Sequence, residues 1–375
     1  YIQQVTGLPL SPYFSAAKLA WLLENVEEVR ELAKSGDLAL GTMDSYIIHR
    51  LTGGEVYATD ASNASRTQLF DIEKLAWSSK ISALFGIAAR ALPEVRASDA
   101  SFGMTDVDGI LKRKVPIHAC LGDSHAALFG QGCLSPGQAK ATYGTGSSVM
   151  MQTGARLVRS QKGLVTSLAW LMEGEAHYVL EGNINYTGAA VTWLKDSLGL
   201  VASAAETEVL ARCANPADES VFVPAFTGLG APYWQSEARG VFTGLSRTTG
   251  RAEMVRAVLD AIAFQIADIA SLMQEEAGES LPVLRVDGGP TKNAYLMQMQ
   301  ADLLDCPVEA SEAEELSALG AGFAAGIAVG FYHKEEIFAQ VKRRAFSPAM
   351  EARRRGKLLA GWKKAVAQVL WAATH

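Results

Sequence analysis

No two of the four cysteines stand at C-x-x-C spacing: Cys120, Cys133, Cys213 and Cys306 are scattered through 375 residues. That excludes a disulfide scaffold and a thiolate zinc site. It fits buried thiols in a reducing compartment, so a cytoplasmic location is expected. The six histidines are equally dispersed and offer no metal-ligand pair. Basic charge is not in excess, since 34 Lys and Arg face 40 Asp and Glu for a net of −6. Nucleic-acid-binding domains are usually basic, so no nucleic-acid partner is expected. Two basic clusters near the end, Lys342-Arg343-Arg344 and Arg353-Arg354-Arg355, carry no interleaved aromatics and read as a solvated face. The longest uncharged apolar run, Leu316–Tyr332, has 17 residues. That is short of the roughly 20 that span a bilayer, so a buried helix is expected there and no membrane partner.

What the chain does have is length for two domains. Gly130-Gln131-Gly132 and Ser135-Pro136-Gly137 break the pattern, which puts a boundary near residue 132 and gives units 1–131 and 132–375. Apolar residues at helical spacing predict a helix over 15–34, ended near Gly36. Leu38–Met43 reads as a short strand, followed by a helix that Asp44 caps and Gly53-Gly54 stops. Val115–Leu121 reads as a strand and Ser124–Gly130 as a helix. Lys140–Gly154 reads as strand, turn, strand. Val221–Ala225 and Gly240–Leu245 read as strands, residues 252–276 as a long helix, and Val283–Val286 as a strand leading to a helix after Gly289. Strands and helices alternate throughout, so the class is α/β.

Four segments can carry chemistry. Asp123 stands where a strand meets a helix, and the carboxyl ends of strands are where open α/β sheets bind ligands. A carboxylate there can take a proton from an alcohol or help hold Mg²⁺; a plain helix N-cap explains it too. His125 nearby reads as a structural histidine. In Ala141-Thr-Tyr-Gly-Thr-Gly-Ser-Ser148, Gly144 and Gly146 let backbone N–H groups and the Thr145 hydroxyl approach phosphate oxygens, although a hairpin turn accounts for the glycines as well. Leu284-Arg-Val-Asp-Gly-Gly-Pro-Thr-Lys-Asn293 ends a strand, turns on two glycines and opens a helix, where exposed N–H groups suit a nucleotide. A tight strand-to-helix connection is the alternative. Gly322, Gly326 and Gly330 recur every four residues and admit a closely packed backbone. Gly320-Ala-Gly-Phe-Ala-Ala325 matches G-x-G-x-x-A, but a helical stretch precedes it where a dinucleotide site needs a strand.

Two longer stretches make the order of these segments specific. They are Tyr13-Phe-Ser-Ala-Ala-Lys-Leu-Ala-Trp-Leu-Leu-Glu-Asn25, and Gly240-Val-Phe-Thr-Gly-Leu followed by Glu253-Met-Val-Arg-Ala-Val-Leu-Asp260. With Phe222-Val-Pro-Ala-Phe-Thr-Gly-Leu-Gly-Ala-Pro-Tyr-Trp234, they resemble the FGGY family of carbohydrate kinases, and within it the glycerol-kinase branch, over essentially the whole chain. The resemblance implies two ribonuclease-H-like domains of the actin and hexokinase type, flanking a cleft. It implies ATP and Mg²⁺, with the γ-phosphoryl group moved to a hydroxyl of a small polyol or sugar. It makes Asp123 the base, close to the metal. Thr145, Gly146, Gly188, Thr192, Gly289 and Asn293 become ATP contacts and Tyr13 a substrate contact. It also implies a homo-oligomer.

Departures from the pattern set further expectations. Glycerol kinases usually carry Gln after the catalytic Asp, and an aromatic where Ser148 stands; this chain has Ser124 and Ser148. Together with Thr192 in place of Gln, these changes give the expectation of a roomier, polar pocket for a larger polyol or ketose. True glycerol kinase and a non-catalytic nucleotide binder are the alternatives. The family's opening Asp-x-Gly-Thr-Thr phosphate loop does not occur in the sequence. The first domain is therefore expected to be incomplete by about a hundred residues, with weak turnover and exposed sheet edges.

Overall fold

The computed structural model describes residues 1–375. Its centre is a seven-stranded mixed sheet. The strands are β1 (Ala139–Tyr143), β2 (Ser147–Gly154), β3 (Val165–Met172), β4 (Glu175–Ile184), β5 (Leu284–Asp287), β6 (Val308–Ser311) and β7 (Arg343–Phe346), in the order β7-β6-β5-β1-β2-β4-β3. β5 runs parallel to β1 and β6, and the other pairs are antiparallel. Successive side chains of a strand point to opposite faces, and both faces here are covered. Val149, Met151 and Leu180 join the large core under the helix Arg251–Ala277, whereas Met150 and Val179 join a smaller one with Leu128, Phe129 and Ala324. This two-sided burial is why Val149-Met150-Met151 of β2 and Leu168-Ala169-Trp170 of β3 show no apolar–polar alternation.

Six of the helices are α1 (Asp123–Gly130), α2 (Gly188–Asp196), α3 (Arg251–Ala277), α4 (Ala294–Leu304), α5 (Leu316–Ala328) and α6 (Ala352–Thr374). α3, α4 and α6 share the large core, and α1 and α5 share the small one. The N-terminal third holds helices and three two-stranded pairs, among them Ala58–Asp60 parallel to Glu94–Arg96. It docks along β3, the outer strand of the sheet. Thr166 N–H donates to the Gly7 carbonyl at 3.1 Å, and Ser98 N–H to that of Leu171 at 2.7 Å. The strand's free backbone groups are thereby partly paired.

Several expectations need correction. The helix over 15–34 is two helices, Ser15–Asn25 and Glu27–Ser35, broken at Val26, whose φ of −110° and ψ of 115° are extended. Leu38–Met43 is not a strand. It has no ladder partner, and the following helix starts at Met43 with Thr42, not Asp44, at its N-cap. After Gly289 a 3₁₀ turn, Gly289–Lys292, intervenes before α4. Cys133 and Cys306 are buried, but Cys213 is exposed.

Candidate active site

α1 follows Gly122 and opens with Asp123. An N-cap carboxylate accepts from the second or third N–H of its helix. The Asp123 carboxylate accepts only from the adjacent Ser124 N–H, at 2.6 Å, and its side chain is otherwise uncommitted. The cap explanation therefore loses its geometric basis. His125 is buried, with Nε2 3.4 Å from Ser167 Oγ, and burial holds its imidazole well below the usual histidine range. It is a neutral packing residue. α5 lies against α1 because Gly320 lacks a side chain where the Ala126 carbonyl passes, and Gly130 does the same at Leu316. Ser317 Oγ adds a bond to the Asp123 carbonyl at 2.9 Å.

The Gly144–Gly146 turn joins β1 to β2. Gly146 must be glycine because a Cβ there would overlap the Ile184 carbonyl. The start of α2 is bound to this turn: Gly188 N–H donates to Gly144, and Thr187 and Ala189 N–H donate to Thr145. Those helix N–H groups are therefore spent within the chain. Thr145 and Gly146 keep their own N–H groups unspent. Thr192 sits one turn along α2 from Gly188. On the other side, Gly288 adopts φ 98° and lies on the Tyr143 carbonyl, which brings Gly289 beside the turn. A crevice of about 430 Å³ opens at the carboxyl ends of the parallel strands β5 and β6, lined by Gly288, Gly289, Thr291, Lys292 and Arg344. Asn293 is the N-cap of α4: its Oδ1 accepts from Leu296 N–H at 3.0 Å, and its Nδ2 donates to Thr207 at 3.1 Å. One amide hydrogen is left for a ligand.

Ser148 lies in β2 opposite Asn183 of β4, and its buried hydroxyl has no partner. Asn183 bonds Glu181, which pairs with Arg66, which lies over the Phe14 ring. Through this chain the segment carrying Tyr13 reaches the same end of the sheet. Tyr13 itself is 70% exposed and makes no hydrogen bond to the other candidates. Thr145, Gly146, Gly188 and Gly289 are thus brought together, while Tyr13 is bonded to none of them.

Two residues escaped the sequence reading. Lys140 is fully buried in β1, with Thr142 Oγ1 as its hydrogen-bond partner at 2.9 Å. Burial lowers its ammonium pKa, opposed by the charges of Asp287, Glu181 and Asp123. Gln131, also fully buried, donates to Asp287 at 3.1 Å. The one available signal was polarity in an otherwise apolar strand and at the end of an apolar helix.

The donor set also bears on a metal. Mg²⁺ binds through one or two carboxylates plus phosphate oxygens, and the free carboxylate of Asp123 fits that need. Asp44, Asp60 and Cys120 also cluster within 4.8 Å. There, however, Asp60 already accepts from Ser62 and Asn63 N–H, Asn63 Nδ2 and Ser98 Oγ. Burial holds the Cys120 thiol protonated, so that group is a hydrogen-bonded knot and not a magnesium site.

The geometry thus presents a phosphate-sized turn, a glycine turn beside it and a free carboxylate on a strand-to-helix junction. The sequence models of the two FGGY carbohydrate kinase domains match this chain, the N-terminal domain over residues 1–130 and the C-terminal domain over 139–329. The chain belongs to the FGGY family of carbohydrate kinases. Glycerol kinase of Methylobacterium nodulans is 48% identical over 374 residues, covering 98% of this chain and 74% of that one. Glycerol kinase 2 of Thermotoga maritima is 46% identical, covering 99% and 75%. A crystal structure of Plasmodium falciparum glycerol kinase with ADP superposes at a TM-score of 0.93 with 35% identity, over 98% of this chain and 74% of that one. The fold is thus the two-domain α/β fold of FGGY kinases, and the chain is an ATP-dependent phosphotransferase of that family. The chain spans about three quarters of the length of these relatives. The family models give no support to the expectation that its first domain is incomplete. The relatives also favour the glycerol-kinase alternative over the expectation of an altered pocket. No helix is long and apolar enough to cross a membrane.

Proposed function

We propose that this FGGY kinase transfers the γ-phosphoryl group of ATP to a hydroxyl of glycerol. The observation that carries the reading is the uncommitted Asp123 carboxylate at the start of α1, beside the sheet that carries the Gly144–Gly146 turn. Phosphoryl transfer asks a protein mainly for positioning and charge neutralisation. Asp123 accepts the proton of the attacking hydroxyl. The free N–H groups of Thr145 and Gly146 and the Thr145 hydroxyl face the phosphates. Gly188, Thr192, Gly289 and Asn293 flank the adenosine. Tyr13, Ser124 and Ser148 border the acceptor. Asp123 would help hold Mg²⁺, which would supply charge neutralisation when bound. Family resemblance supports a boundary between the domains near residue 132 and a homo-oligomeric assembly.

The identity of 46–48% with proteins named glycerol kinase supports glycerol as acceptor. One observation favours a larger polyol: the buried Ser148 hydroxyl has no partner and can bond an additional substrate hydroxyl. The test is ADP release with ATP and Mg²⁺ across glycerol, erythritol, xylitol, ribulose and xylulose. A kcat/KM for glycerol above all others is the expected result. A preference for a four- or five-carbon acceptor would transfer the assignment to the larger polyols.

A further inference from the structure

α1 behaves as a short stiff rod. His125 through Gly130 are buried, and α5 closes on them through Gly320. Asp123 stands at one end and Gln131 at the other, about 12 Å away at the helical rise. A displacement of the Gln131 end is transmitted to Asp123.

Gln131 is joined to the sheet in two ways. Its carbonyl accepts from Arg285 Nη1 and Arg343 Nη2, each at 2.8 Å. Two guanidinium groups at the negative end of a helix hold that end well. Its side chain separately donates Nε2–H to Asp287 Oδ2 at 3.1 Å. Asp287 immediately precedes Gly288, and Gly288 rests on the carbonyl of Tyr143, the residue before Gly144. One side-chain hydrogen bond therefore separates the glycine turns from the helix that carries Asp123. Holding α1 in place does not require this bond, because the arginines already do so. The Gln131 Oε1 is left buried without a partner, a cost that packing alone does not explain.

We propose that the Gln131–Asp287 hydrogen bond is a positioning device coupling the nucleotide side of the cleft to Asp123. Nucleotide on the Asp287-Gly288-Gly289 segment fixes Asp287, Asp287 fixes Gln131, and α1 then presents Asp123 to the acceptor. The two ligands accordingly strengthen each other's binding, and by linkage the gain is the same in both directions. This inference rests on the glycerol kinase reading.

The test uses the full chain. Glycerol affinity is measured by calorimetry with and without saturating ADP, beside turnover and melting temperature. In the unaltered chain ADP tightens glycerol by about fivefold or more. Gln131→Glu sets a carboxylate against Asp287, and the gain disappears while turnover drops by about tenfold as Asp123 loses its fixed position. The double variant Gln131→Glu, Asp287→Asn restores an amide-to-carboxylate bond with donor and acceptor exchanged, and recovers most of both. Gln131→Leu introduces no charge and reproduces the loss, with a lower melting temperature because the buried Asp287 carboxylate loses its donor. The proposal is overturned if Gln131→Leu keeps the mutual gain and the turnover, or if the double variant stays as impaired as Gln131→Glu. An unaltered chain that binds both ligands without mutual gain overturns this proposal alone. One that binds ADP but not glycerol removes the glycerol reading with it.

Discussion

Asp123 lies in the first turn of a helix yet caps nothing, and that makes it available to a substrate hydroxyl. Asp123→Asn keeps the shape and the single backbone contact while removing the base. Turnover should fall by about 10²-fold or more, with ADP affinity nearly unchanged, as read by steady-state rates and calorimetry. Retained turnover would move the base elsewhere. The sequence pointed to this position through its strand-to-helix junction, and family resemblance supplied its role. Lys140 and Gln131 left no comparable mark, because a lone polar residue in an apolar run does not declare which carboxylates the fold will bring to it. Asp260 was equally silent. It is half-buried in α3 beneath Tyr295, whose hydroxyl donates to it at 2.8 Å, and desolvation pushes its pKa up to about 6. A carboxyl group raised in this way contributes its stability in full below about pH 4, where it is protonated in both folded and unfolded chains, and loses it as pH rises through about 6. The loss is on the order of 3 kcal/mol. Asp260→Asn should flatten that part of the profile. A wild-type-minus-variant stability difference that stays constant between about pH 4 and pH 7 would refute it.

At the scale of elements, glycine spacing told that α5 meets another backbone, but not which glycine meets it. Gly322, at the four-residue spacing, faces open space; Gly326 accommodates the Tyr332 ring; the close approach to α1 belongs to Gly320. One-dimensional spacing gives a face, and tertiary packing selects the residue. Gly320→Ala would drive a methyl into the Ala126 carbonyl, and backbone cannot give way cheaply. A loss of about 2–3 kcal/mol is expected, along with reduced turnover as Asp123 shifts. Gly322→Ala in the same helix meets nothing and should gain up to about 1 kcal/mol from helix propensity. Equal melting temperatures for the two variants would contradict the packing described. The periodic segments were legible because burial on one face imposes the period, as in Ser15–Asn25, where Ala16, Leu19 and Leu23 enter one core. The residues 38–43 were not, since a short apolar run carries no period and only tertiary hydrogen bonding decides its form.

At the scale of the molecule, the N-terminal third is tied to the sheet by a charge pair that neither segment announces alone. Arg66 and Glu181 are 115 positions apart. Their nearer contact, Nη1 to Oε2 at 2.7 Å, is poorly aligned as a hydrogen bond, while Nη2 to Oε1 at 3.3 Å is aligned. Their side chains are only 21% and 6% exposed. Arg66 also lies over Phe14, 5.5 Å from the ring centre, so the pair links the Tyr13 segment to the strand opposite Ser148. Desolvation cancels much of the gain from such a pair, but removing one partner strands the other. Arg66→Met should therefore cost about 3–5 kcal/mol, because Glu181 keeps its charge in a buried place with only Asn183 to donate to it at 3.0 Å. Arg66→Met with Glu181→Gln removes both charges and should recover a good part of that loss. Urea unfolding of the two variants measures the difference, and a double variant no more stable than the single one would mean that the attachment rests on packing around Phe14 and not on the paired charges.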